Sequence, residues 1–427
     1  MDTIERARRA DAFQALLDAL TGETSRHLTA ASAYAVDETA IESFARGKRS
    51  NKKAQDEEQA AAAGKRVSIR CWDRDARWGH KTVTSKAESG SIFGFHALTF
   101  TRARTLNGTP EPFLLERIAR QPANAGPAGA TFDVLGALGR AGRLPSELIV
   151  DIGFSQLAVE NWAAPLAALG VKQVLDLKKT DHQRDPHVDG FVMIDGQPYC
   201  ASIPEELVRI NKPANLSLIK LGKHPSKEHV ARAAQRQQEI DAFNTAIAHR
   251  ELYRFVPHGK TAKGEQRWKC PVQAHKAVPA PTGHAPDYDA PIPTIVHPTT
   301  GLPKACAQRT IVIADDVQVK FRQEHVWGSP QWQASYARRA RAEGAHGILK
   351  SIDTGAIRRG FIRYRGIVRT GLMLGLAVMA TNLRSLERWL RSTGEALHPV
   401  MAIDTRGHGF VELDADGTIG GLAPPVA

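Results

Sequence analysis

The sequence has only four cysteines in 427 residues, Cys71, Cys200, Cys270 and Cys306, and no Cys-x-x-Cys pair among them. That scarcity excludes a disulfide framework and predicts reduced thiols. A long hydrophobic run is missing too: the apolar stretch 371–380 falls well short of the about 20 residues that a membrane-crossing helix needs. The opening residues, Met1-Asp2-Thr3-Ile4-Glu5-Arg6, offer no apolar core ahead of a small-residue cleavage site, so a cytoplasmic chain without a secretory leader is expected. Acidic charge is in deficit. Against 57 Lys and Arg stand 45 Asp and Glu, leaving +12 and a pI near 9.6. This balance disfavours an acidic small substrate and favours a polyanionic partner. What remains is a globular composition, 42% hydrophobic, at a length that suits two or three domains or one domain with a large insertion.

Hydrophobic periodicity divides the first half of the chain. Residues 2–20 place Ile4, Phe13, Leu16, Leu17 and Leu20 at helical spacing ahead of Thr21-Gly22, which predicts a packing helix. Tyr34-Ala35-Val36-Asp37-Glu38-Thr39-Ala40-Ile41 predicts a strand whose carboxylate, if buried, needs something positive beside it. Residues 46–66 turn to Lys, Arg, Gln, Glu and Ala and predict a polar loop with one short helical turn. Its basic half, Gly47-Lys48-Arg49-Ser50-Asn51-Lys52-Lys53, either lies along a phosphate backbone or is simply solvated. Strand character at 67–71, 92–101 and 112–118 suggests an antiparallel meander that begins with the Asp37 strand.

A helix is predicted over 131–142. The buried strand Leu148-Ile149-Val150-Asp151-Ile152-Gly153-Phe154 then carries Asp151 at its C-terminal edge, where open α/β sheets bind ligands. A helix over 157–169 and a strand over 171–177 complete a mixed sheet of about five strands covered by helices. From 178 to 331 the periodicity breaks up into a hairpin around Asp195-Gly196, a polar helix over 226–250, strands within 252–269 and a Pro- and His-rich loop over 271–303. This block reads as an insertion. Cys270, His275, His284 and Cys306 fall within or just past its Pro-rich part, but ligand spacings this long argue against a zinc site made from them.

The run Tyr336-Ala337-Arg338-Arg339-Ala340-Arg341-Ala342-Glu343 is rich in helix formers, and the helix is expected to continue to Lys350. Tyr336, Arg339, Glu343 and Lys350 recur at steps of three, four and seven, which puts a hydroxyl, two cations and a carboxylate on one face. The face suits phosphate and metal; alone, it also fits a solvated helix. Asp37 on a first strand, Asp151 at the end of a buried strand and Glu343 on a late helix could converge on a pair of Mg²⁺ ions.

Tyr336, Arg339, Glu343 and Lys350 fit, without a gap, the Tyr-Arg-Glu-Lys signature helix of DDE-type transposases of bacterial insertion sequences. Val36-Asp37-Glu38-Thr39-Ala40 and Val150-Asp151-Ile152-Gly153-Phe154-Ser155 are similar to that family's first and second Asp strands, so the chain resembles the family over roughly 34–389. The resemblance implies a ribonuclease H-like catalytic domain over 34–178 and 331–393, a strand-rich insertion over 179–330, an N-terminal helical segment over 1–33 and a C-terminal tail over 394–427. It further implies that Asp37, Asp151 and Glu343 hold two Mg²⁺ ions, for which Mn²⁺ can substitute, and that Tyr336, Arg339 and Lys350 contact DNA at the transposon end. Cleavage and strand transfer on double-stranded DNA, a homodimer on that DNA and a nucleoid-associated location follow from the same resemblance. Asp73 and Asp75, in Trp72-Asp73-Arg74-Asp75-Ala76-Arg77, compete for the first acidic position but read as a charged turn. Transposases of this type carry a helical end-binding domain before the first Asp, and only 36 residues precede Asp37 here. The alternative expectation is therefore a catalytically inactive remnant that only binds DNA.

Overall fold

The computed structural model describes residues 3–393 except 27, 46, 48–49, 66–71, 82–89, 105–110, 188–189, 282–283, 315, 352–354, 356 and 358–361, together with the strands Ala402–Asp404 and Gly409–Val411. For 3–10 it describes the backbone alone. The strand expected at 67–71, Cys71 and most of the C-terminal tail lie outside the described residues.

Helix α1 (Thr3–Gly22) leads to strand β1 (Ala33–Glu42), helix α2 (Asn51–Ala62) and strands β2 (Arg77–His80), β3 (Ser91–Ala103) and β4 (Leu115–Pro122). Helix α3 (Pro127–Arg140), strand β5 (Glu147–Val150), helix α4 (Ala163–Ala168) and strand β6 (Lys172–Val174) follow. The sheet runs β2-β3-β1-β5-β6, with β4 also paired to β3. Gly94 of β3 pairs with Glu42 of β1 on one side and with Arg77 of β2 on the other, so β2 and β4 share the outer edge of β3. The β1–β3 and β3–β4 pairs are antiparallel, while β1–β5 and β5–β6 are parallel. The fold is thus mixed α/β as expected, with six strands rather than five because the short β2 joins the edge. Gly94 is required where three strands meet: a Cβ there would collide with the Ile41 carbonyl oxygen of β1.

Strand alternation sorts the two faces. Tyr34, Val36, Leu98 and Phe100 pack with Val134, Leu135 and Leu138 of α3 and with Trp162 and Leu166 beside and within α4. On the opposite face Ile41, Phe95, Ala97 and Ile118 pack with Leu17 of α1 and with residues of two later helices. Leu148, Ile149 and Val150 are fully buried, as their unbroken apolar run predicts, and each such side chain contributes about 1.5–3 kcal/mol. Instead of forming a separate segment, α1 is stitched to β4: Gln14 Nε2 donates to the Ile118 carbonyl at 2.8 Å and Thr21 Oγ1 to that of Glu116 at 3.0 Å. The expected polar loop at 46–66 is in part the twelve-residue α2, started by Ser50, whose Oγ accepts from the Lys53 N–H. The helix expected at 157–169 shortens to the single turn and a half of α4, preceded by the 3₁₀ turn Val159–Asn161.

The block after β6 builds a second core from short strands: β7 (Asp185–Pro186), β8 (Phe191–Ile194) and β9 (Gln197–Cys200), then helix α5 (Lys227–Glu251) and strands β10 (Val256–Lys260), β11 (Gln266–Lys269), β12 (Val278–Pro279) and β13 (Thr294–Ile295). Helix α6 (Lys304–Ala307) and strand β14 (Ile311–Val312) close it. The β8–β9 hairpin turns at Asp195-Gly196 with both φ angles positive, as that dipeptide predicts. The turn carboxylate is buried between Arg250 Nη2 at 2.5 Å and His182 Nδ1 at 2.9 Å. Burial alone would raise its pKa; Arg250 and His182 outweigh that and hold it below the usual carboxylate range. The 271–303 stretch, expected as a loop, carries the parallel pair β12–β13 and buries Ala277 and Ile295.

The chain then returns to the large sheet as helices α7 (Pro330–Ala337), α8 (Ala340–Lys350) and α9 (Ile367–Thr393). The signature stretch is therefore two helices with a hitch at Arg338–Arg339, not one. Arg338 causes the hitch a local use: its guanidinium pairs with Glu147 at the start of β5 and with Ser335. Among the described residues no helix is long and apolar enough to cross a membrane.

Candidate functional site beside strand β1

Strand β5 is shorter than β1. Their pairing ends at Val36↔Val150, and Asp151 leaves β5 into the 3₁₀ turn Ile152–Gln156. From Asp37 onward the β5 side of β1 is open, and a crevice of about 530 Å³ lies there. Asp37, Glu38, Asp151, His96, His346 and Lys350 are among the residues that line it. Helix α8 crosses β1 and β3 above it, anchored by Ala345 and Leu349 in the apolar core. On one helix face α8 thus brings His346 and Lys350 to the strand that carries Asp37.

Two carboxylates on opposite faces of β1 each meet an imidazole. Asp37 faces α8: His346 Nδ1 is 3.8 Å from its Oδ2, while His346 Nε2 lies 2.8 Å from Thr99 Oγ1. Thr99 is the cross-strand partner of Asp37, and its hydroxyl also donates to the Asp37 carbonyl at 3.2 Å. Glu38 faces α3: it accepts from Gln121 Nε2 at 2.6 Å and stands 3.8 Å from His96 Nδ1. His96 Nε2 bonds the His80 carbonyl at 3.1 Å, and its Nδ1 is buried with no hydrogen-bond partner.

The charge environment is hostile to anions. Burial first, then the charges of Asp151 and Glu343, push the Asp37 carboxyl up to about 6, against the opposing Glu38 N–H and Arg339. Glu38 is pushed up to about 7 by burial and by Asp37, against its bond from Gln121. His346 is pushed down to about 4 by burial and by Lys350, so at neutral pH its approach to Asp37 is not an ion pair.

The other signature residues, Tyr336 on α7, Arg339 between the helices and Glu343 on α8, are not among those that line the crevice, but the charges of Arg339 and Glu343 reach Asp37. Tyr336 stacks on Trp332 with ring centroids 4.9 Å apart, and the Arg339 guanidinium lies 5.6 Å from the Tyr336 ring. Burial holds the Tyr336 hydroxyl well above its usual range. Arg339 bonds Glu343 at 2.5 Å, and the Glu343 side chain is 58% exposed. The structure thus gathers Asp37, Asp151 and Lys350 in one crevice, and leaves Glu343 on the same helix with its carboxylate turned to Arg339. Asp37, Asp151 and Glu343 do not lie within mutual ligand distance: among the described residues, the only set of three or more Asp, Glu, His or Cys with ligand atoms inside 4.8 Å is elsewhere. Asp73 and Asp75 are structural. Asp73 is buried and accepts from Ser43 Oγ at 2.6 Å and Gly366 N at 3.2 Å, and Asp75 accepts from Ile367 N at 2.8 Å, so the pair caps the start of α9.

His346, Thr99, Glu38 and His96 were not singled out by sequence. His346 had a signal, since it stands three residues after Glu343 and four before Lys350, on their helix face. Thr99 had none, because only the β1–β3 register brings it to Asp37. Compared with protein-family models, curated proteins and solved structures, the chain gives no match.

Proposed function

We propose that the chain is a metal-dependent DNA strand-cleaving and strand-transferring enzyme of the insertion-sequence transposase type, with a ribonuclease H-like core. The observation that carries this reading is the shared crevice. Asp37, on a central strand, and Asp151, at the end of its parallel neighbour, line it beneath the helix that bears Glu343 and Lys350. Strand order adds support: an antiparallel set continued by two parallel strands, then a strand-rich block ahead of the acidic helix, is the organisation that the resemblance implies.

Mg²⁺ is a hard cation that takes carboxylate, water and phosphate oxygens, and Asp37 and Asp151 offer such donors. Asp37 suits it in a second way, because burial and like charge make its ionised form costly and a divalent cation offsets both. Glu343 would complete the set once its carboxylate leaves Arg339. Bound there, the metal would supply Lewis-acid charge to an in-line displacement at a phosphodiester. The chain's own groups do the positioning. Lys350 at the crevice wall and Arg339, whose charge reaches Asp37, offer positive charge to phosphate oxygens, the Tyr336 ring braces Arg339, and His346, fixed through Thr99, sets the Asp37 side of the crevice. The +12 balance draws a polyanion toward them.

The test is nicking of supercoiled DNA in Mg²⁺ or Mn²⁺. Wild type should nick, and Asp37→Asn, Asp151→Asn and Glu343→Gln should bind DNA with unchanged salt dependence yet leave it intact. Full activity of the Asp37 or Asp151 variant would overturn the assignment. A second reading, DNA binding without cleavage, is favoured by the pairing of Glu343 with Arg339. Salt-sensitive binding by a wild-type chain that cuts in neither metal would establish it.

A further inference from the structure

Three cysteines and a histidine, far apart in sequence, converge in the second core. Cys200 ends β9, Cys270 follows β11, His297 follows β13 and Cys306 lies in α6. The ligand atoms of Cys200, His297 and Cys306 all lie within 4.8 Å of one another. Cys270 Sγ is 3.4 Å from His297 Nε2 and also contacts the Cys306 thiol. All three thiols are free, at 0–1% exposure, and His297 is 8% exposed. A tetrahedral zinc with bonds of about 2.3 Å to sulfur and 2.0 Å to nitrogen spaces its ligand atoms by roughly 3.5–4 Å; Cys200, His297 and Cys306 fall inside 4.8 Å of one another, and Cys270 approaches His297 to 3.4 Å.

The surroundings of the cluster are those of a ligand set. His297 Nδ1 lies 2.8 Å from the Pro298 carbonyl, an acceptor, so it carries the proton and Nε2 presents its lone pair to the thiols. Backbone N–H groups of Val272 and Gln273 point at the Cys270 sulfur, and that of Ser202 points at the Cys200 sulfur, an arrangement that favours thiolate over thiol. Gln273 Nε2 donates to the Cys306 carbonyl at 2.6 Å, tying two of the ligand-bearing segments together. Buried cysteines also pack as small apolar residues. Packing alone gives no reason for a histidine with one nitrogen tied off and the other aimed into three sulfurs. His275 and His284, which lie between Cys270 and Cys306 in sequence, are exposed and take no part.

We propose that Cys200, Cys270, His297 and Cys306 hold one structural zinc ion that pins four segments of the second core. Thiolate and imidazole ligands select zinc over the hard cations suited to the acidic crevice, and a closed set of four leaves no position for substrate. The need is physical: this core is made of strands two to five residues long, and a metal supplies cohesion that such short pairings lack. The proposal is independent of any activity at β1.

The test is metal analysis of the full chain, purified under reducing conditions without a histidine tag or chelator. One zinc per chain is expected, released only when the thiols are blocked. Replacement by Co²⁺ should give the intense visible bands of tetrahedral thiolate coordination. Cys270→Ser and Cys306→Ser should lose the metal, while His275→Ala and His284→Ala keep it. If the cysteine variants do not fold, the cobalt spectrum of the wild-type chain decides. A folded chain that takes up no stoichiometric zinc or cobalt on reconstitution, or one in which two of these cysteines form a disulfide, would overturn the proposal.

Discussion

The crevice beside β1 and the thiol cluster of the second core both gather side chains that bind metals, and they are built in opposite ways. In the first, carboxylates are held near one another by a long strand, the end of a short one and a helix, at a cost visible in the raised Asp37 and Glu38 pKa values. Its mouth is open, and one acidic side chain is parked on an arginine. In the second, three ligand atoms lie within 4.8 Å of one another and a third sulfur lies 3.4 Å from the histidine, all inside an apolar core, with the histidine tautomer fixed by a backbone carbonyl. An open, electrostatically costly arrangement suits a site that must exchange water, substrate and cation, and a closed one suits cohesion. On the two proposals made above, the same molecule would use hard oxygen donors where something must pass through and soft sulfur donors where nothing should.

The sharpest way to break this contrast is at the carboxylates. Losing Asp151 as Asp151→Asn should cut Mg²⁺-dependent nicking by more than the about 100-fold typical of outer-shell changes around a metal, with folding unchanged in a thermal melt. A comparable loss from a zinc-stripped chain that is still folded would erase the distinction between the two sites.

Next in size is a change of the second core itself. Arg250→Ala removes the buried cation beside Asp195 and leaves that carboxylate to His182 alone, which should destabilise that core by about 3 kcal/mol. Denaturation followed by tryptophan fluorescence would read it, since His182, which shares Asp195 with Arg250, lies with its ring centroid 4.2 Å from that of Trp327.

The electrostatic cost at the crevice gives a third test. The folded pKa of Asp37 lies near 6, above the ordinary value of 3.8, so its contribution to stability is fully present below pH 4 and is lost as the pH rises through 6. The shift corresponds to about 3 kcal/mol. Asp37→Asn should therefore raise the urea midpoint of metal-free protein at pH 8 and leave it little changed at pH 4. Mg²⁺ should stabilise wild type more at pH 8 than at pH 5, and the Asp37→Asn variant at neither. Equal midpoints for the two proteins at pH 8 would remove the electrostatic account of the crevice. The smallest expected effect is that of Lys350→Gln, which should weaken DNA binding uniformly across sequences and lower the salt slope by about one unit.

The parts of this structure that were legible in sequence are those whose signal is local. The apolar run Leu148-Ile149-Val150, the Asp195-Gly196 turn and the Ser226-capped α5 each declare themselves within a few residues. Helix α2 was missed because its only buried residue is Ala54, so it has helix-forming residues without an apolar stripe. Asp37 and Asp151 were legible as carboxylates in strands. Their partners Thr99 and His96 were not, since strand register is settled by pairing between distant segments. The cysteine cluster was not legible for the same reason, although the expectation that Cys270, His275, His284 and Cys306 do not form a site together agrees with the exposure of both histidines. The cluster's members come from four separate segments, and the histidine that joins them stands 27 residues past Cys270.

The ten-residue β1 beside the four-residue β5 makes the crevice a matter of strand length rather than of side-chain carving. Two more paired residues on β5 would carry Asp151 past Asp37 and seal the gap with backbone. Substitutions can retune the chemistry on its walls, but the room for a ligand is owed to where one strand stops, so the place for a ligand can persist while the residues facing it diverge.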